Sequence, residues 1–120
     1  LDVENAAILN GHAERLSKVQ TRFGPLKVVR IPMPPRSEEF FGGTYTNVAL
    51  LNGVLLVPTW KDAPRELEEE AMRTYKRLLP NWEIVGIDCS QLGVRNGGLH
   101  CATINLYSTK PVASDLAGTD

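Results

Sequence analysis

This chain lacks most of the features that mark a specialised surface. Thirteen Lys and Arg stand against fourteen Asp and Glu, a formal net charge of −1, and the basic residues do not cluster or alternate with aromatics. A nucleic-acid or other polyanion partner is therefore not expected. No apolar run approaches the roughly 18 residues that span a bilayer, so no membrane span is expected. Only two cysteines occur, Cys89 and Cys101, too few for a disulfide framework. We read them as free thiols of a reduced, cytoplasmic protein. With only two histidines, His12 and His100, no His/Cys/Asp cluster has zinc or calcium spacing, and no metal or cofactor is expected. The run Glu66, Glu68, Glu69, Glu70 reads as a solvated helix face. The chain opens on Leu1 without a signal-peptide pattern, which we read as an excised or processed piece.

What is present is one ordinary domain's worth of patterned sequence: 120 residues, 42% of them hydrophobic. Ala6, Leu9, Ala13, Leu16 and Val19 recur at spacings of three and four, which predicts a helix over 5–20 with Asn5 as a cap. Phe23-Gly24-Pro25 ends it. Leu26–Ile31 reads as a strand covered on both faces and stopped by Pro32, Pro34 and Pro35. A loop over 33–43 follows, and at least one of Phe40 and Phe41 is expected to be buried or to line a pocket. Two β-rich runs, 44–51 and 54–59, flank Asn52-Gly53, the dipeptide of a two-residue type I′ hairpin. Both runs are apolar enough to suggest burial on both faces. Asn47 is the lone amide among them, and a buried amide needs partners: a neighbouring loop or a substrate cavity. Asp62 and Pro64 open a helix whose buried side carries Leu67, Ala71, Tyr75, Leu78 and Leu79, and Pro80 closes it. A strand over 83–87 follows. From residue 44 the order is a ββαβ unit. The helix and strand before 36 look like the back half of another, although the two show no clear self-similarity.

The stretch Asn96-Gly97-Gly98-Leu99-His100-Cys101-Ala102-Thr103-Ile104-Asn105-Leu106-Tyr107 alternates with period two. Read as a strand, it shows Cys101, Thr103 and Asn105 on one face and turns His100 to the other, away from Cys101. Cys101 is then either a small buried thiol or a nucleophile. A thiolate needs a depressed pKa or an adjacent base to act as one near neutral pH. Gly98 either makes the turn or lets a backbone or ligand approach closely. Cys89, at a strand end, reads as structural, and His12, at the edge of its helix stripe, as solvated.

Gly97-Gly98-Leu99-His100-Cys101-Ala102-Thr103, preceded by Trp82–Asp88, resembles the C-terminal end of the agmatine deiminase and Porphyromonas-type peptidylarginine deiminase family. Lys27–Pro34, Tyr45-Thr46-Asn47 and Leu51–Pro58 resemble successive segments of the same family in the same order, so the likeness runs over about 5–107. It implies an α/β fold, a five-unit α/β propeller (pentein) of which this chain is about the last two fifths. Residues 1–36 would be the back half of one unit, 37–107 one ββαβ unit plus the catalytic strand, and 108–120 a mobile tail. It implies that Cys101 attacks the guanidinium carbon of a small guanidine substrate or an arginine side chain and forms a covalent amidino-cysteine. For agmatine the products would be N-carbamoylputrescine and ammonia, a step of putrescine and polyamine biosynthesis. Asn47 and Gly98 become candidate substrate-binding residues. Uncovered faces between units would favour a homodimer.

One departure matters. In the family, the acid/base histidine with its following acidic residue and the guanidinium-binding carboxylates lie upstream. Gly11-His12-Ala13-Glu14 is only superficially like that motif and falls inside the first helical pattern. The chain alone is therefore expected to be inactive. Three readings stay open: a segment of an agmatine deiminase, a segment of a peptidylarginine deiminase, and a catalytically silent ββαβ assembly domain.

Overall fold

The computed structural model describes residues 3–35, 43–93 and 97–106. The expectations for Phe40, Phe41 and the 108–120 tail lie outside those residues. The described part is mixed α/β. Its centre is a three-stranded sheet, β3 (Ala49–Leu51), β4 (Val54–Thr59) and β5 (Glu83–Asp88), in that spatial order. Strand β4 pairs antiparallel with β3 and parallel with β5, and α2 (Arg65–Leu78) makes the crossover between them. This is the ββαβ unit that the residue order predicts.

The hairpin forms for the expected reason. Asn52 and Gly53 both take positive φ, 42° and 92°, as a type I′ turn requires. Burial departs from expectation. In β4, Leu55 and Val57 are fully buried, but β3 keeps only Ala49 inside and leaves Leu50 and Leu51 exposed. Among the described residues β3 is an edge strand of the sheet, and only its first residue reaches the core.

Helix α2 presents Ala71 and Thr74 to the core, with Leu67, Met72, Tyr75 and Leu79 packed around it, while Leu78 is 37% exposed. Pro64, not Asp62, flanks its first turn, and no side chain caps it. The Tyr75 hydroxyl donates to the Tyr45 carbonyl at 2.8 Å, which ties α2 to the segment leading into β3. Tyr45 itself is fully buried, and its hydroxyl has no hydrogen-bond partner among the described residues. Two contrasting outcomes follow. Tyr75→Phe is expected to cost about 1 kcal/mol. Tyr45→Phe removes an unsatisfied polar atom and should leave stability unchanged or raised.

Burial, and secondarily the charge of Glu68, push the Tyr45 hydroxyl up from 10.0 to about 12. A raised folded-state pKa means that the native state holds its proton longer than the unfolded chain. The contribution is complete below pH 10 and is lost as pH rises from about 10 to 12. Denaturant titrations across that window should show stability falling for the wild type, with a shallower fall for Tyr45→Phe.

The N-terminal third is less regular than expected. Helix α1 runs Val3–Ser17, so Asn5 sits inside its first turn and cannot cap it. None of its residues is buried, and Ile8, Leu9 and Leu16 are 44–50% exposed. A two-residue ladder then joins β1 (Gln20–Thr21) and β2 (Gly24–Pro25). The expected strand Leu26–Ile31 does not form. A strand needs a continuing ladder partner. Here the Leu26 N–H donates to the Val19 carbonyl at 2.8 Å, but among the described residues no strand pairs with the segment beyond it, although Ile31 packs against the core.

Candidate active site

The site is built where two loops meet at one end of the sheet. The first is the segment before β3. Asn47 lies there, ahead of the hairpin strand and not inside it. The second begins after β5. The Cys89 N–H donates to the Thr59 carbonyl at 3.0 Å. Asp88 Oδ1 accepts from both the N–H and the hydroxyl of Ser90, which starts the short helix α3 (Ser90–Gly93). Those bonds, led by the Ser90 hydroxyl, hold the Asp88 carboxyl below its ordinary value. Cys89 is buried, and burial pushes its thiol up, with Asp88 adding to the effect. It is the structural cysteine that the sequence suggests. Both cysteines are free.

The segment around Cys101 is not a strand. Residues His100–Ala102 form a single 3-10 turn, and the chain becomes extended only at Thr103. The alternation of residue types suits a strand, but tertiary contacts decide otherwise. Leu99 is 8% exposed and belongs to the core cluster, which pins the turn from below. The His100 N–H is taken by Asn47, at 2.7 Å from Oδ1 and 3.3 Å from its carbonyl. The Ala102 and Thr103 N–H groups close on the Gly98, Leu99 and His100 carbonyls. Strand geometry therefore does not turn His100 away from Cys101. In a 3-10 turn, successive side chains stand about 120° apart. His100 is exposed, as is His12 in α1.

The three site residues singled out in the sequence, Asn47, Gly98 and Cys101, come together. Asn47 Nδ2 donates to Cys101 Sγ at 3.4 Å across 54 residues of chain. Gly98 is buried against the same amide. A Cβ there would stand 2.5 Å from Asn47 Oδ1 and 2.7 Å from its Cγ. Gly98 is required by this close approach. The Cys101 thiol is exposed yet held below its ordinary value, first by the Asn47 amide and then by the Gly98 backbone, with its own backbone N–H assisting. Sequence reading missed Leu99 as the anchor and the His100 N–H as the group that orients Asn47. Leu99 could have been suspected as an apolar residue directly after two glycines. A backbone donor leaves no signal. Among the described residues no group of three His, Cys, Asp or Glu side chains could hold a metal ion, and no helix is long and apolar enough to cross a membrane.

An exposed thiol with a lowered pKa, on a turn fixed from two sides, is a nucleophile's setting. Comparison with known proteins identifies the family. The agmatine deiminase of Medicago truncatula is 34% identical over 61 residues, which are 50% of this chain and 16% of that protein. A crystal structure with a provisional peptidyl-arginine deiminase assignment matches with a TM-score of 0.67 at 31% identity, covering 79% of this chain and 29% of its own. A cysteine-to-serine variant of C. jejuni agmatine deiminase with substrate bound matches with a TM-score of 0.56 at 31% identity, covering 68% and 24%. The chain thus spans less than a third of the length of these relatives. The family model of Porphyromonas-type peptidyl-arginine deiminase matches residues 2–106, and the chain belongs to that family.

Proposed function

We propose that this chain is the nucleophile-bearing segment of a guanidine deiminase that hydrolyses agmatine, with Cys101 as the attacking residue. The observation that carries the reading is the Cys101 thiol itself, exposed and held toward its anionic form by amide donors in a member of this family. The likeness to a substrate-bound agmatine deiminase supports a small guanidine substrate.

Sγ forms a bond to the guanidinium carbon, and the C=N electron pair moves onto nitrogen. One terminal nitrogen gains a proton and leaves as ammonia, which gives an amidino-cysteine. Water then adds to the same carbon, the C–S bond breaks, and the ureido product and the thiolate are released. A guanidinium brings positive charge beside the sulfur, which favours the thiolate further. The proton transfers need an acid/base group, and in the family that group and the carboxylates gripping the guanidinium lie upstream of the matched segment. In this reading the ββαβ unit is one blade of an α/β propeller, and those groups reach Cys101 from other blades.

The test is ammonia release from agmatine by this chain alone and by the chain joined to an upstream family segment carrying the histidine and carboxylates. The chain alone should release none, because loss of the acid/base group and the electrostatic clamp removes most transition-state stabilisation. The joined protein should release it. Ureido product formed by the isolated chain, and lost on Cys101→Ala, would overturn the division of labour. A peptidylarginine substrate run beside agmatine separates the two activities of the family.

A further inference from the structure

We propose that Asn47 is a positioning residue for the nucleophile: its Oδ1 is locked by the His100 N–H, which turns its Nδ2–H onto Cys101 Sγ and favours the sulfur as an anion. The inference deepens the deiminase reading, on which it rests for the sulfur's role as nucleophile.

A backbone N–H only donates. The His100 N–H lies 2.7 Å from Asn47 Oδ1 and needs an acceptor there. Flipping the amide would set the Asn47 NH2 against that N–H, two donors facing each other. Oδ1 must therefore face His100, and Nδ2 is left to face Sγ, where it stands at 3.4 Å. Gly98 closes the third side. The absence of a Cβ there lets the amide sit where a methyl group would be 2.5 Å from Oδ1. The same amide thus fixes the turn through one atom and donates to the sulfur through the other. A donor to sulfur stabilises thiolate over thiol, in line with the lowered position of the Cys101 thiol. Asn47 does not touch the substrate carbon in this account. It acts through Cys101.

Asp is the discriminating substitution. Asn47→Asp keeps the shape and the acceptor for His100, so the turn should survive. It deletes the donor to Sγ and sets a negative charge beside it. Asn47→Ala removes both contacts. The readout is the pH dependence of Cys101 alkylation by iodoacetamide in the 120-residue chain, followed on the Cys101 peptide so that Cys89 does not contribute. The wild type should show a midpoint below the ordinary value of a free thiol, about 8.5. Asn47→Asp should raise it by about one pH unit or more, a roughly tenfold slower alkylation at neutral pH, with little change in Tm. Asn47→Ala should raise it too, with a lower Tm. In the wild type, the Asn47 Nδ2 proton resonances should shift with pH at the alkylation midpoint, a readout that needs no variant to fold. A wild-type midpoint in any folded Asn47 variant, or Nδ2 resonances indifferent to that transition, overturns the proposal. A purely structural role would move Tm and leave the midpoint alone. Alkylation involves no guanidine substrate. A chain that never deiminates agmatine can still bear out Asn47, and an active deiminase with an unmoved midpoint would refute it.

Discussion

Replacing Cys101 by alanine should lower ammonia release from agmatine by the joined protein roughly ten-thousand-fold or more, with no loss of fold. The size follows from the role. No neighbouring group can replace a missing nucleophile, and removing one commonly leaves only the rate that binding and electrostatics supply. The fold should survive because Cys101 is exposed and outside the core cluster, so no cavity is opened. Cys89→Ala tests the converse. That thiol is fully buried among Trp60, Leu99 and the sheet, so its loss should reduce stability and spare the chemistry. Matched ammonia assays and thermal unfolding of the two variants would separate the roles. A Cys101→Ala protein that keeps a tenth of the wild-type rate would remove the covalent mechanism.

The second large effect is expected at Gly98. A methyl group there meets Asn47 at 2.5, 2.7 and 3.1 Å, on Oδ1, Cγ and Cβ. The nearest atoms belong to a short side chain held by the His100 N–H and set against Sγ, not to the free end of a long one. Gly98→Ala must therefore expel the amide or shift the turn. Either way His100 loses its nearer acceptor, Asn47 Oδ1, and Cys101 its side-chain donor. Overpacking of this kind costs about 1–3 kcal/mol. The thiol should also lose its advantage at neutral pH, so activity should fall further than the stability change alone explains. Thermal unfolding with Cys101 alkylation would check both parts. A Gly98→Ala protein with wild-type Tm and alkylation midpoint would show that the contact relaxes without consequence.

The parts of this architecture that were legible in sequence are those fixed by local chemistry. Asn52-Gly53 announces its hairpin because both turn residues need positive φ, and few dipeptides supply it. Helix α2 announces itself through its apolar spacing and its closing proline. The failures share a cause. Val28 and Val29 look like strand residues, but a strand exists only beside a partner, and the described residues offer none there. The alternation from Leu99 to Leu106 looks like a strand too. It is overruled at His100–Ala102 because Leu99 is anchored in the core and Asn47 takes the His100 N–H.

The candidate site divides in the same way. Cys101 was legible through a run of residues shared with a family, and Asn47 through being an amide where its neighbours are apolar. Their pairing was not legible, because 54 residues of intervening chain carry no mark of it. For Gly98 the sequence leaves open a turn or a close approach, and the structure shows a close approach by a side chain from another loop.

The central claim is that Cys101 Sγ bonds to the guanidinium carbon. The most direct measurement is rapid quenching of the joined protein with agmatine in a single turnover, followed by mass analysis of the cysteine peptides. The account predicts that the Cys101 peptide gains the mass of agmatine less ammonia and that this adduct decays as the ureido product appears. Ammonia released in the same turnover with the adduct on Cys89, or sustained turnover by Cys101→Ser at the wild-type rate, would contradict it.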